Sequence, residues 1–253
     1  MTHVHSHAPG SFCWIEMAAR DSAAAIDFYA QLFSWTVAES AMADAQTYFI
    51  FQKNGRDAAG MYAITERQPA LQPHWMSYIA VSSADDSFAK AQTLGARTLM
   101  EPFDVFDRGR MAVLADPSGA PFSIWEARGN AGVGVRDEAD ALCWNELQTH
   151  DVAGSKKFYP PLFNWRMKES DEYTEWHLGE HAVGGMMQAQ GPPDAPPFWM
   201  PYFAVDDCDA KVALAQSIGA NVYVPPMDIP NIGRFAVMAD PQGAVFAVIK
   251  LLM

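Results

Sequence analysis

Cysteine is scarce in this chain: three residues in 253, with no Cys-x-x-Cys pair. A small odd count argues against a disulfide framework, and the expected compartment is a reducing cytoplasm. Basic side chains are few as well. Seventeen Lys and Arg stand against 30 Asp and Glu, a net charge of -13, and they form no basic stripe. Nucleic acid and anionic membrane surfaces are therefore not expected partners. No apolar run approaches the roughly 18–20 residues of a membrane span. The amino-terminal stretch is polar, with His3, His5 and His7 before Pro9-Gly10. It lacks the charged and apolar regions of a signal peptide and is expected to be a disordered tail over residues 1–10. Its His tract is a compositional hint of Cu or Ni chelation through His3 and nothing more.

What remains is ordinary for a globular protein: 50% hydrophobic and 19% charged residues, in a length that suits two domains. The less ordinary feature is that the chain repeats itself. Cys13-Trp14-Ile15-Glu16, Asp21, Phe28-Tyr29, Leu32-Phe33 and Trp35 return as Cys143-Trp144-Asn145-Glu146, Asp151, Phe158-Tyr159, Leu162-Phe163 and Trp165, offset by 130. Trp75-Met76, Tyr78, Gly109-Arg110 and Asp116-Pro117 return as Trp199-Met200, Tyr202, Gly233-Arg234 and Asp240-Pro241, offset by 124. A repeat of this length is a duplicated domain. The boundaries read as domain 1 at 11–128, a Gly-rich linker at 129–140 and domain 2 at 141–253.

Within each half the pattern alternates. Phe12–Ala18 predicts a strand, Asp21 caps a helix with Ala25, Phe28 and Leu32 on one face, and three short strands follow. The order then restarts at Met76, with a helix stopped by Gly95 and a closing hairpin at Asp116-Pro117-Ser118-Gly119. Each half is thus two βαβββ modules, four in all. In the third module, Pro160-Pro161 should shorten or kink the helix.

The helix signature of Asp, then Phe-Tyr, then Leu-Phe, with the paired Asp-Pro-x-Gly hairpins, resembles the vicinal oxygen chelate superfamily of glyoxalases, bleomycin-resistance proteins and extradiol dioxygenases. The resemblance runs from about Phe12 to Leu252. It implies an α+β fold: a tandem repeat of two such domains whose four modules curl mixed sheets around concave clefts. It leaves open whether module one pairs with two or with four. It also implies a divalent metal held by His and Glu from cleft strands. Here those positions carry Trp14, Met76 and Ser123 in one half, and Trp144, Met200 and Ala247 in the other. Indole cannot ligate, thioether is a poor ligand for a hard dication and a methyl group offers nothing, so no cofactor is expected, a divalent metal being left to the alternative reading below. His74, His177 and His181 read as rim or loop residues.

Strand alternation assigns the faces. Trp14, Glu16, Met76, Tyr78 and Trp125 should line the first cleft, and Trp144, Glu146, Met200, Tyr202 and Ile249 the second. Cys13 and Cys143 should lie on the helix side as small core residues. Each cleft is then an apolar cup with one carboxylate, whose pKa should be raised unless a cation answers it. Arg110 and Arg234 are the candidate cations, either as ligand-binding groups or in structural ion pairs with Glu16 and Glu146. The expected function is capture of a small aromatic or cationic molecule by a monomer or homodimer. The alternative is a glyoxalase-type lyase or isomerase, or a dioxygenase, with unorthodox metal ligands or with Glu16 or Glu146 as general base.

Overall fold

The computed structural model of the chain describes residues 4–41, 46–192 and 194–252; the His3 reading falls outside them. The first half contains β1 (Phe12–Ala19), α1 (Ser22–Phe33), β2 (Thr36–Ala41), β3 (Thr47–Lys53), β4 (Arg56–Ala63), β5 (His74–Ala80), α2 (Ala84–Thr93), β6 (Arg97–Val105), β7 (Gly109–Ala115) and β8 (Pro121–Ala127). The second contains β9 (Ala141–Thr149), α3 (Val152–Phe163), β10 (Arg166–Glu169), β11 (Tyr173–Leu178), β12 (His181–Gln188), β13 (Phe198–Ala204), α4 (Cys208–Ser217), β14 (Asn221–Ile229), β15 (Gly233–Ala239) and β16 (Val245–Leu251). Four βαβββ modules are present, in the order the repeat implied.

Each half forms one mixed eight-stranded sheet, ordered β2-β3-β4-β1-β5-β8-β7-β6 and β10-β11-β12-β9-β13-β16-β15-β14. The seam between modules is the antiparallel pair β1–β5, or β9–β13. Modules one and two therefore share a sheet, as do three and four. The helices answer the pairing question differently. Phe28, Tyr29, Leu32 and Phe33 of α1 share a core with Phe203, Val212, Met238 and Phe246 of module four. Phe158, Tyr159 and Leu162 of α3 share one with Ile79, Leu114, Phe122 and Ile124 of module two. Sheets join one to two and three to four, whereas cores join one to four and two to three.

Polar groups stitch the same crosswise contacts. Asp240 in its hairpin takes the hydroxyl of Tyr29 at 3.1 Å, and Tyr29 in turn accepts Trp75 Nε1 at 3.0 Å. The copy is Asp116 with Tyr159 at 3.0 Å and Trp199 at 3.0 Å. The other Asp oxygen holds its own turn, accepting from Gln242 and Ala244 N–H in one hairpin and from Ser118, Gly119 and Ala120 N–H in the other. Lys211 donates to Leu32 O at the C-terminus of α1, where a cation meets unpaired carbonyls. At the centre, fully buried Ser77 donates to Asn145 Oδ1 at 2.8 Å.

Two expectations are corrected. Residues 4–10 are docked and do not form a loose tail: Val4 N–H reaches Gly134 O, Gly10 N–H reaches Ala80 O, and Gly10 O accepts Trp165 Nε1 at 2.7 Å. α3 is not shortened by its prolines, spanning 12 residues like α1. Pro160 and Pro161 fall in the last turn, so few helical bonds remain to be lost. No helix among the described residues is long and apolar enough to cross a membrane.

Candidate ligand clefts

The concave faces carry two side-chain rows that repeat from half to half. The central row runs Ile50–Gly60–Glu16–Met76 in the first sheet and Glu175–Gly185–Glu146–Met200 in the second. The flanking row holds Trp14, Tyr78 and Ser123, or Trp144, Tyr202 and Ala247. Alternation thus brings Trp14, Glu16, Met76 and Tyr78 together with Trp125, and likewise Trp144, Glu146, Met200 and Tyr202 with Ile249.

In the first cleft Glu16 is the hub. Tyr48 donates to Oε1 at 2.6 Å, Tyr78 donates to Oε2 at 2.8 Å, and Trp14 Nε1 donates to the Tyr48 hydroxyl at 3.1 Å. In the second, Tyr202 donates to Glu146 Oε1 at 2.8 Å, Gln148 donates to the same oxygen at 2.6 Å, and Trp144 Nε1 donates to the Tyr173 hydroxyl at 2.8 Å. Burial pushes both carboxyls above the usual range, opposed by the tyrosine hydroxyls and, for Glu146, by Gln148. The tyrosine rings fit because Gly60 and Gly185 lie beneath them. A Cβ on either glycine would fall 1.9 Å from the Tyr48 or Tyr173 hydroxyl. Sequence reasoning missed Tyr48, Tyr173, both glycines and Gln148. Tyr48 and Tyr173 are a repeated pair, hidden because their spacing matches neither main offset.

The expected cations are elsewhere. Arg110 and Arg234 lie on the opposite face of β7 and β15 from the cleft residues Met111 and Val237. Arg110 forks onto Asp85 of α2 at 2.8 and 2.9 Å and reaches Asp104 at 3.1 Å. Arg234 repeats this with Asp209 and Asp228. The readings of these arginines as cleft groups and as partners of Glu16 and Glu146 are thereby overturned: on these strands both faces are apolar apart from the Arg, so hydropathy alone did not fix which way it pointed.

Cys13 and Cys143 also lie off the expected row. A bulge after Phe12, and its copy after Leu142, turns each thiol toward the cleft-side cluster. Both are buried, and burial pushes the Cys143 thiol up to about 12, so neither is a nucleophile.

The positions that the resemblance assigns to metal ligands hold Trp14 and Ser123 on either side of Tyr78, with Met76 one row away. This donor set does not fit a first-row dication, and the second cleft offers less. Among the described residues, no three His, Cys, Asp or Glu side chains gather in a metal-binding cluster. His74 sits at the end of β5 with Nδ1 2.8 Å from Gln72 O, and burial lowers its pKa. His177 pairs with Glu175 at 2.9 Å on the wall of the second cleft.

A family model described as the Glyoxalase/Bleomycin resistance protein/Dioxygenase superfamily matches residues 11–124 and 142–248. The chain belongs to that superfamily. A relative from Mycobacterium tuberculosis, named "Putative glyoxylase CFP32", is 34% identical over 244 residues, covering 94% of this chain and 93% of its own. The anthracycline biosynthesis protein DnrV of Streptomyces peucetius is 33% identical over 260 residues, covering 96% and 94%. In fold, the chain resembles the Mn(II)-bound glyoxalase of Novosphingobium aromaticivorans (TM-score 0.69, 16% identity, covering 100% of this chain and 84% of that one). It also resembles the 2,3-dioxygenase LapB of Pseudomonas sp. KL28 (TM-score 0.64, 13% identity, 99% and 93%).

Proposed function

We propose that this glyoxalase-like chain binds a small aromatic or cationic molecule in an apolar cleft, without a resident metal. The observation that carries this reading is the carboxyl hub: Glu16 or Glu146, held by tyrosine hydroxyls beside an indole ring, with no Lys, Arg or His among the described residues paired to it. A desolvated carboxyl of this kind recognises a hydrogen-bond donor or a cation, and the Trp and Tyr faces recognise a ring. One relative is named an anthracycline biosynthesis protein, and fused-ring aromatics of that kind supply a natural set of probes. Calorimetric titration with a fused-ring aromatic and with an aromatic quaternary amine, on protein assayed for metal, tests the reading. Binding by metal-free protein that Glu16→Gln or Glu146→Gln weakens supports it. Binding only after stoichiometric metal loading refutes it.

A second reading is favoured by the same raised carboxyl and by the relative named for a glyoxylase. A carboxyl raised by burial above the usual carboxylate range can exchange a proton with a bound carbonyl compound. Turnover of a methylglyoxal–thiol adduct, abolished by Glu16→Gln or Glu146→Gln, would establish it.

A further inference from the structure

The two floors are built alike but covered differently. Glu146 and Met200 are 5% and 3% exposed, whereas Glu16 and Met76 are only partly buried. The row beside the floor accounts for the difference. In the second cleft it runs Tyr173–Met187–Gln148–Phe198. The Gln148 amide closes onto Glu146 Oε1 at 2.6 Å, Phe198 packs against the same cluster, and Phe235 stacks on the Tyr202 ring at 6.5 Å. In the first cleft the row runs Tyr48–Tyr62–Ala18–His74. Ala18 has no donor to offer. A neutral His74 spends its Nδ1 proton on Gln72 O and keeps only an acceptor at Nε2. Among the described residues, Glu16 therefore receives two tyrosine hydroxyls and no nitrogen donor. Gln148 shows within the chain what a carboxyl at this place takes: an N–H group.

The walls of the first cleft are apolar. Met100 and Phe103, 46% and 38% exposed, pair with Val113 and Met111 on the cleft side of β7, and Ile50 stands at the other end of the floor row. The wall ring is peculiar to this cleft, since the position matching Phe103 is Met227. The position across from Ile50 in the repeat is Glu175, already paired with His177 and Lys168. Val133 of the interdomain segment is buried against Trp14 and Trp125, with its N–H on Cys13 O at 2.8 Å. That end of the first cleft is thus closed, and Glu16 and Met76 are the accessible part of its floor. Ser123, fully buried in the flanking row, keeps a hydroxyl with no protein partner among the described residues, where the second cleft has Ala247. A buried hydroxyl left in this way is satisfied by a polar atom from outside the chain.

We infer that the first cleft is the ligand site and that its ligand is a fused-ring aromatic amine, bound as the cation. The ammonium donates to Glu16 as Gln148 donates to Glu146, and the ring lies over Met76 against the apolar walls. This inference rests on the binding reading above and narrows it to one cleft and one charge type. The test is calorimetry of the full chain at pH 7 with anthracen-9-ylmethylamine, the corresponding alcohol and anthracene-9-carboxylate. The expected result is one amine bound per chain, about tenfold or more tighter than the alcohol and tighter than the acid. Glu16→Gln should erase the preference for amine over alcohol. Phe103→Ala, on an exposed wall that tolerates substitution, should weaken amine and alcohol alike. Arg110→Ala should bind as wild type does. Equal binding of amine and alcohol, tightest binding of the acid, or loss of binding with Glu146→Gln but not with Glu16→Gln overturns the inference and leaves the broader reading standing. If none of the three probes binds, both fall.

Discussion

The crosswise relays lend themselves to a quantitative test. Tyr29→Phe removes one hydroxyl and strands two buried partners, the Oδ2 of Asp240 and the Nε1 of Trp75. A hydrogen bond to a charged group contributes about 1.5–3 kcal/mol, and an orphaned buried donor costs about 1–3 kcal/mol. The ring itself stays, so no cavity term is added, and the expected loss is about 3 kcal/mol. In a chain of this size each kcal/mol moves Tm by roughly 2–4 °C, which gives a drop of about 6–12 °C. Tyr159→Phe should cost a similar amount through Asp116 and Trp199. The cost depends on pH. Burial raises the Asp240 pKa while the Tyr29 hydroxyl opposes that rise, so removing the hydroxyl lifts the folded pKa further. A raised folded pKa gives stability that is complete below the unfolded value and is lost as pH climbs through the folded one. The variant's deficit should therefore widen from about pH 4 to pH 8. Urea denaturation followed by tryptophan fluorescence and far-UV circular dichroism measures it, and coincident curves would show that both halves unfold together. A loss under about 0.5 kcal/mol at pH 8, or a deficit that shrinks with rising pH, refutes the reasoning.

Glu146→Gln should gain stability relative to wild type as pH rises above the ordinary carboxylate range, because it no longer has to ionise a buried group; thermal melts at pH 4 and pH 8 check the sign. Gly185→Ala should expel the Tyr173 ring from its seat and cost about 1–3 kcal/mol, read by melts. Arg234→Ala should leave ligand titrations unchanged, because its partners Asp209 and Asp228 lie outside the cleft. Metal analysis of purified protein should find no stoichiometric Fe, Mn, Ni or Zn.

The fold was legible because the chain states it twice: capping Asp, Phe-Tyr pair and hairpin Asp recur in order, and chance does not reproduce such an order. The cleft carboxyls were legible too, since Trp14 and Glu16 share a strand phase. Three physical circumstances hid the rest. Gly109-Arg110-Met111 sits in a strand apolar on both faces, so the side on which Arg110 lies is set by Asp85 on a distant helix. A bulge at Cys13 shifts phase by one residue and leaves no mark in hydropathy. Tyr48 and Tyr173 reach over the glycines of β4 and β12 to the Glu and Trp of the strand beyond, so the partnership appears only once β3 and β11 are laid in place. Crosswise helix packing was likewise invisible, because an apolar helix face does not name the sheet that will cover it.

That packing has a consequence for ancestry. Severed at the linker, either half would bare the apolar flank that now greets its sister. A single-copy forebear of this architecture would have hidden that flank against an identical twin. Fusion turned that encounter between strangers into a permanent marriage within one polypeptide. Freed from self-identity, each copy was then at liberty to drift, and where one floor row carries Ile50 its counterpart carries Glu175.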